Sequence, residues 1–124
     1  MPAREYDLQK RLIDYSVEII ELAEALPRSI AGNQLAKQLI RSETSSALSY
    51  GEAQGAESRR DFVHKLKIVL KELRETFVGL KIIEGRFRKS NPRKIQLAIA
   101  ETDALASIMY RSIETAKKND QLNK

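Results

Sequence analysis

The chain has 124 residues, with 22 Lys and Arg against 17 Asp and Glu for a net charge of +5, three Pro, five Gly, no Trp and no Cys. That length makes one domain with a core able to fold without staples. The missing cysteine excludes disulfides, thiolate zinc sites and cysteine nucleophiles, and it fits a cytoplasmic protein.

Few breakers and steady apolar periodicity favour long helices over a sheet. The first helix is expected at about 5–26, with a seam of Leu8, Leu12, Tyr15, Ile19, Leu22 and Leu26 that stops at Pro27. The second, at about 31–53, follows Gly32 with Leu35, Leu39, Ser42, Ser46, Ser49 and Ala53. Ser58 caps the third, at about 58–84, and Asp61 three residues on completes a capping-box pattern. Its seam is Phe62, Leu66, Val69, Leu73, Thr76, Leu80 and Ile83. After Gly85, the pair Asn91-Pro92 opens the fourth, at about 92–118, with Ile95, Ile99, Thr102, Leu105 or Ala106, Met109, Ile113 and Ala116. Lys117, Lys118 and Lys124 then form a basic tail that suits a helix C-terminus.

Spacing of four and three in every segment is the period of left-handed bundle packing, and short connections make sequential neighbours antiparallel. The expected fold is therefore all-α, an up-down-up-down antiparallel four-helix bundle. Around the second connection the inner residues are small before it (Ser42, Ser46, Ser49, Ala53) and large after it (Phe62, Leu66, Val69, Leu73). Small against large lets two helices approach closely, and a symmetric pairing sets Ser49 near Phe62 and Ser46 near Leu66. Ile13, Val17, Ile20, Ile68, Leu70, Phe77, Leu97 and Tyr110 lie off the seams. Either the stripes are wide, or a second face is buried against other copies in a closed ring.

This stretch also carries a resemblance. Arg41-Ser42, Thr44-Ser45, Glu52-Ala53-Gln54, Ser58, Asp61-Phe62, His64-Lys65-Leu66, Lys71-Glu72 and Glu75-Thr76 resemble the signature of a bacterial family, the four-helix bundle or 23S rRNA intervening-sequence proteins. Likeness of pattern and length runs from about Tyr6 to about Lys117. The resemblance implies a homo-oligomeric ring, a pentamer, with an RNA-linked role. A relative of this fold serves a retroelement reverse transcriptase as an accessory protein. Many members carry an asparagine near position 50, where this chain has Ser49-Tyr50-Gly51. Arg41, Glu52, Asp61 and Glu75 belong to the signature at positions that allow ion pairs between the second and third helices, and Arg41 facing a channel or ligand is the alternative.

Charge adds a candidate interface. Arg86, Arg88, Lys89, Arg93 and Lys94 fall within nine residues that hold no acid. By the alternating topology, Arg28 in the first loop shares their end of the bundle. Such a cluster contacts the phosphate of RNA or DNA without reading bases; a merely solvated loop is the competing account. Phe87 between two arginines is either a stacking platform or a plug, and Tyr50 and Tyr110 are the other candidate platforms. No chemistry gathers elsewhere. His64 is a lone histidine with no Glu-x-x-His pair, and Ser42, Ser45, Ser46 and Ser49 have no base nearby. Glu18, Glu21 and Glu24 form an acidic edge, and Gly79 and Gly85 are isolated rather than part of a phosphate loop.

No cofactor and no enzymatic activity are expected. No apolar run approaches the roughly 18–20 residues of a membrane span, and MPAREYDLQKRL lacks a signal-peptide core. Two functions stay open: a nucleic-acid scaffold with a basic rim, and a protein-interaction module using an apolar or ring-end surface.

Overall fold

A computed structural model describes residues 3–122, with side chains described for residues 8–119; Lys124 lies outside them. The described residues form four helices and no strand: α1 (Ala3–Glu24), α2 (Ile30–Gln54), α3 (Arg59–Arg86) and α4 (Pro92–Leu122). No helix among the described residues is long and apolar enough to cross a membrane.

Local chemistry sets the ends. α1 stops two residues before the expected limit, where Leu26 N–H bonds the Ala23 carbonyl at 3.2 Å in a tightened turn ahead of Pro27. Ser29, to which the sequence alone assigned no role, caps α2 by accepting from Gly32 N–H at 3.0 Å. Ser58 caps α3 the same way, accepting from Asp61 N–H at 3.0 Å. α4 opens on Pro92, whose ring is preset for a first turn, and Asn91 before it adopts φ 52°, a left-handed conformation that asparagine tolerates.

Contacts between side chains show which helices run against each other. Leu39 reaches Gly79, where an added Cβ would sit 3.5 Å from its Cδ2; Ser42 Oγ meets Thr76 Oγ1 at 2.8 Å; Lys65 bonds Glu52 at 2.7 Å. α2 and α3 are therefore antiparallel. In the same sense, Tyr15 OH meets Thr102 Oγ1 at 2.5 Å, and Leu22 and Leu26 share a cleft with Ile95 and Ala98. α1 thus runs against α4. The α2–α3 register differs from the symmetric pairing: it brings Ser46 level with Glu72 and Ser49 level with Val69, roughly two turns from the expected partners. The four-residue connection leaves room for this offset, and the polar contacts across the seam select it.

The core is continuous through the bundle, with Leu12, Ile19, Leu39, Leu66, Leu73, Leu80, Ile83, Ile95, Leu105 and Met109 fully enclosed. Burying each such side chain contributes about 1.5–3 kcal/mol. Ser42, Ser46 and Ala53 are buried on the small side of α2. Two assignments change. Tyr50 rather than Ser49 is the buried residue on α2, so it offers no stacking platform, and Leu70 belongs to the core rather than to a surplus face. Ile13, Val17, Leu97 and Tyr110 remain exposed, as do Val78 and Ile82.

Gly32 anchors the first corner. A Cβ there would lie 1.9 Å from the Pro27 carbonyl oxygen, a backbone atom that cannot step aside. Gly32→Ala should therefore destabilise the protein by about 2 kcal/mol in urea unfolding. Gly51 has nothing within 4 Å of the corresponding position. There the same change should stabilise by about 0.5–1 kcal/mol through helix propensity.

Candidate nucleic-acid interface

The connection between α3 and α4 is held from inside. Phe87 is buried, its N–H bonding the Ile83 carbonyl at 2.8 Å and its own carbonyl accepting from Ser90 N–H at 2.9 Å. Its ring plugs the end of the core, which withdraws it from base stacking. Pinning Phe87 inward turns its neighbours outward. Arg86, Arg88, Lys89, Arg93 and Lys94 are all exposed, and so is Arg28 in the first connection. The last turns of α1 line the same cleft as Ser90, Asn91 and Lys94, so both connections do lie at one end of the bundle.

None of these six cations forms an ion pair within the chain among the described residues. Arg86 lies 5.0 Å above the Phe87 ring centroid and closes the C-terminal turn of α3, so it also serves the fold. Acidic side chains stand near this end on α3, where Glu84 accepts from Lys81, and on α1. Glu18 and Glu21 wall a cleft of about 450 Å³ whose floor is Leu22, Leu26, Ile95 and Ala98 and whose opposite rim carries Lys94.

The signature residues do something else. Arg41 forks between two carboxylates of α3, 2.5 Å from Glu75 and 3.4 Å from Glu72, and the Glu75 bond is the main reason its guanidinium is held more firmly charged. Glu52 accepts from Lys65, Asp61 closes the Ser58 cap, and Phe62 packs half-buried against the core. The Arg41 fork and the Lys65–Glu52 pair staple α2 to α3, whereas Asp61 forms no ion pair among the described residues and gives its backbone N–H to the cap of α3. Ser45 is half-buried and His64 is exposed.

Sequence reasoning missed the polar layer through the middle of the bundle. Tyr15 bonds Thr102, Ser42 bonds Thr76, and Glu43, fully buried, meets Ser16. It also missed the two-pronged pair of Arg11 with Glu101, at 2.8 and 2.7 Å, which ties α1 to α4. Glu43 had a signal: Leu39, Glu43, Ser46, Tyr50 and Ala53 alternate by four and three as well as the series through Ser42 and Ser49 does. Among the described residues, no group of three or more His, Asp or Glu is placed to hold a metal.

No family model matches the sequence, and no curated protein matches it. Its fold has a counterpart among solved structures: a protein of unknown function from the S23 ribosomal protein family of Bacteroides thetaiotaomicron, 25% identical, superposes with a TM-score of 0.73 over 86% of this chain and 97% of the other. The likeness is one of fold and extends over nearly all of the other, somewhat shorter chain.

Proposed function

We propose that this protein is a non-enzymatic, cytoplasmic, oligomeric scaffold that holds RNA by its phosphate backbone on the basic end of the bundle. The observation that carries this is the convergence of Arg28, Arg86, Arg88, Lys89, Arg93 and Lys94 at one end, all exposed and none ion-paired among the described residues. Uncompensated cations around a buried aromatic plug suit a polyanion approached from outside, with no base readout. The S23 ribosomal name of the similar structure points toward RNA as the anion. Exposed Ile13, Val17, Val78, Ile82, Leu97 and Tyr110 favour a homo-oligomer, in which the basic end repeats around a rim; the count of five rests on the family resemblance.

A second reading has its own observation. The cleft beside Leu97 combines an apolar floor with Glu18 and Glu21, a surface for a protein partner rather than for phosphate. Native mass, measured with and without total RNA at low and moderate salt, separates the two. An oligomer that takes up RNA at low salt and sheds it at moderate salt is the expected result. An oligomer indifferent to RNA under both conditions leaves the protein-partner reading.

A further inference from the structure

Glu43 lies at the centre of α2 with no exposed surface, on the α1 side of the bundle. Its Oε1 is 2.5 Å from Ser16 Oγ, and its buried Oε2 has no hydrogen-bond partner. Ser16 Oγ also lies 2.8 Å from the Leu12 carbonyl oxygen. A hydroxyl has one proton, and a carbonyl only accepts. Both contacts are full, unshared hydrogen bonds together only when the Glu43 carboxyl carries a proton, donates it to Ser16, and Ser16 donates onward to Leu12. An ionised Glu43 would compete with Leu12 for the single Ser16 proton and would leave a buried anionic oxygen unsatisfied.

No cation compensates that charge. Among the described residues no Lys or Arg pairs with Glu43. The ionisable groups on the surrounding helices do not help. Tyr15 on α1 is neutral, with its own ionisation pushed up mainly by burial and further by Glu43. Glu72 on α3 is engaged by Arg41, and Glu101 on α4 by Arg11. A buried uncompensated carboxylate is costly, and water is its cheapest relief. The way in is α1, whose backbone lies less close to its neighbours than that of α3 does, and least close to α4.

We infer that Glu43 is a protonated latch between α1 and α2, and that its ionisation releases α1 from the bundle. The structure would then hold a pH-dependent step that the basic end plays no part in. Burial pushes the carboxyl up to about 7 from an ordinary 4.5, against the Ser16 hydrogen bond, which lowers it. The sign follows from proton linkage. Between 4.5 and about 7 the folded state keeps a proton that the unfolded chain has lost, so stability falls as pH rises through that window and levels off above it. At ten-fold per unit, the folding equilibrium constant should drop on the order of a hundred-fold from pH 5 to pH 8.

Two measurements on the full chain decide it. The first is a carbon NMR titration of the glutamate carboxyls, with Glu43 identified as the signal absent from Glu43→Gln. A midpoint near neutrality supports the latch, and one among the ordinary carboxylates overturns it. The second is hydrogen-exchange protection at pH 5 and pH 8. In the natural protein α1 amides should lose protection at pH 8, more than α3 amides do, and Glu43→Gln should abolish that difference and be the more stable protein at pH 8. Equal loss in α1 and α3, or the same profile in both proteins, would overturn the release of α1. Should Glu43→Gln not fold, the glutamate of the natural protein that titrates at the highest pH decides the question: near neutrality it supports the latch, and in the ordinary carboxylate range it overturns it.

Discussion

Replacing Arg86, Arg88 and Lys89 together by Gln should weaken RNA binding at least ten-fold at low salt and flatten its salt dependence. Each phosphate contact on a single strand contributes about 0.7 to the slope of log affinity against log salt. Six contacts give a slope near −4, so raising salt from 50 to 200 mM should cost the natural protein on the order of a few hundred-fold. Removing three cations should halve the slope to about −2. The fold should survive the change, because Phe87 anchors the connection and stays in place. Loss of the Arg86 contact with its ring costs about 0.5–1 kcal/mol, and exposed substitutions otherwise stay within about 0.5 kcal/mol. Fluorescence anisotropy with labelled RNA over a salt series checks both affinity and slope, with thermal unfolding as the control. An unchanged slope would remove the basic end from function and leave the acidic, apolar cleft between α1 and α4 as the surface to pursue.

Leu73→Ala should produce the largest loss of stability, about 4 kcal/mol, with a fall in Tm of about 15 °C for a chain of this size. Leu73 is fully enclosed at the middle of α3, level with the stretch of α2 where Ser42 and Ser46 already let the helices approach closely. Little is left to collapse into the void, and the cost of a cavity rises with the volume that remains. Urea unfolding at pH 5 isolates this effect from the ionisation of Glu43, and an unchanged m-value would show that the fold itself persists. A loss below about 1 kcal/mol would mean that the small-against-large seam is not close-packed.

Four helices could be read directly from the chain, because their signals are local. Pro27, Ser58 and Pro92 each act within one turn, and the four-and-three spacing of Leu12, Tyr15, Ile19 and Leu22 needs no knowledge of a partner helix. The basic connection was legible for the same reason: Arg86, Arg88, Lys89, Arg93 and Lys94 are neighbours in sequence, and no acid lies among them. That Arg28 joins their end required only the parity of antiparallel helices.

What the chain could not settle was everything that depends on which helix stands opposite. On α2, the series through Ser42 and Ser49 and the series through Glu43 and Tyr50 have the same period, and hydrophobicity argued for the serines as packing residues against a charged glutamate. Packing buried members of both series: Ser42 stays inside against Thr76 of α3, while Glu43 and Tyr50 are buried as well, with Ser16 of α1 as the partner that makes a buried carboxyl tolerable. The α2–α3 offset likewise follows from Ser42 meeting Thr76 and Arg41 forking onto α3, contacts between residues more than thirty positions apart. Arg11 and Glu101 are ninety residues apart and meet only because α1 and α4 close the bundle. Periodicity determines that a helix has an inner face; the neighbours it meets determine which residues on the border of that face lose their water.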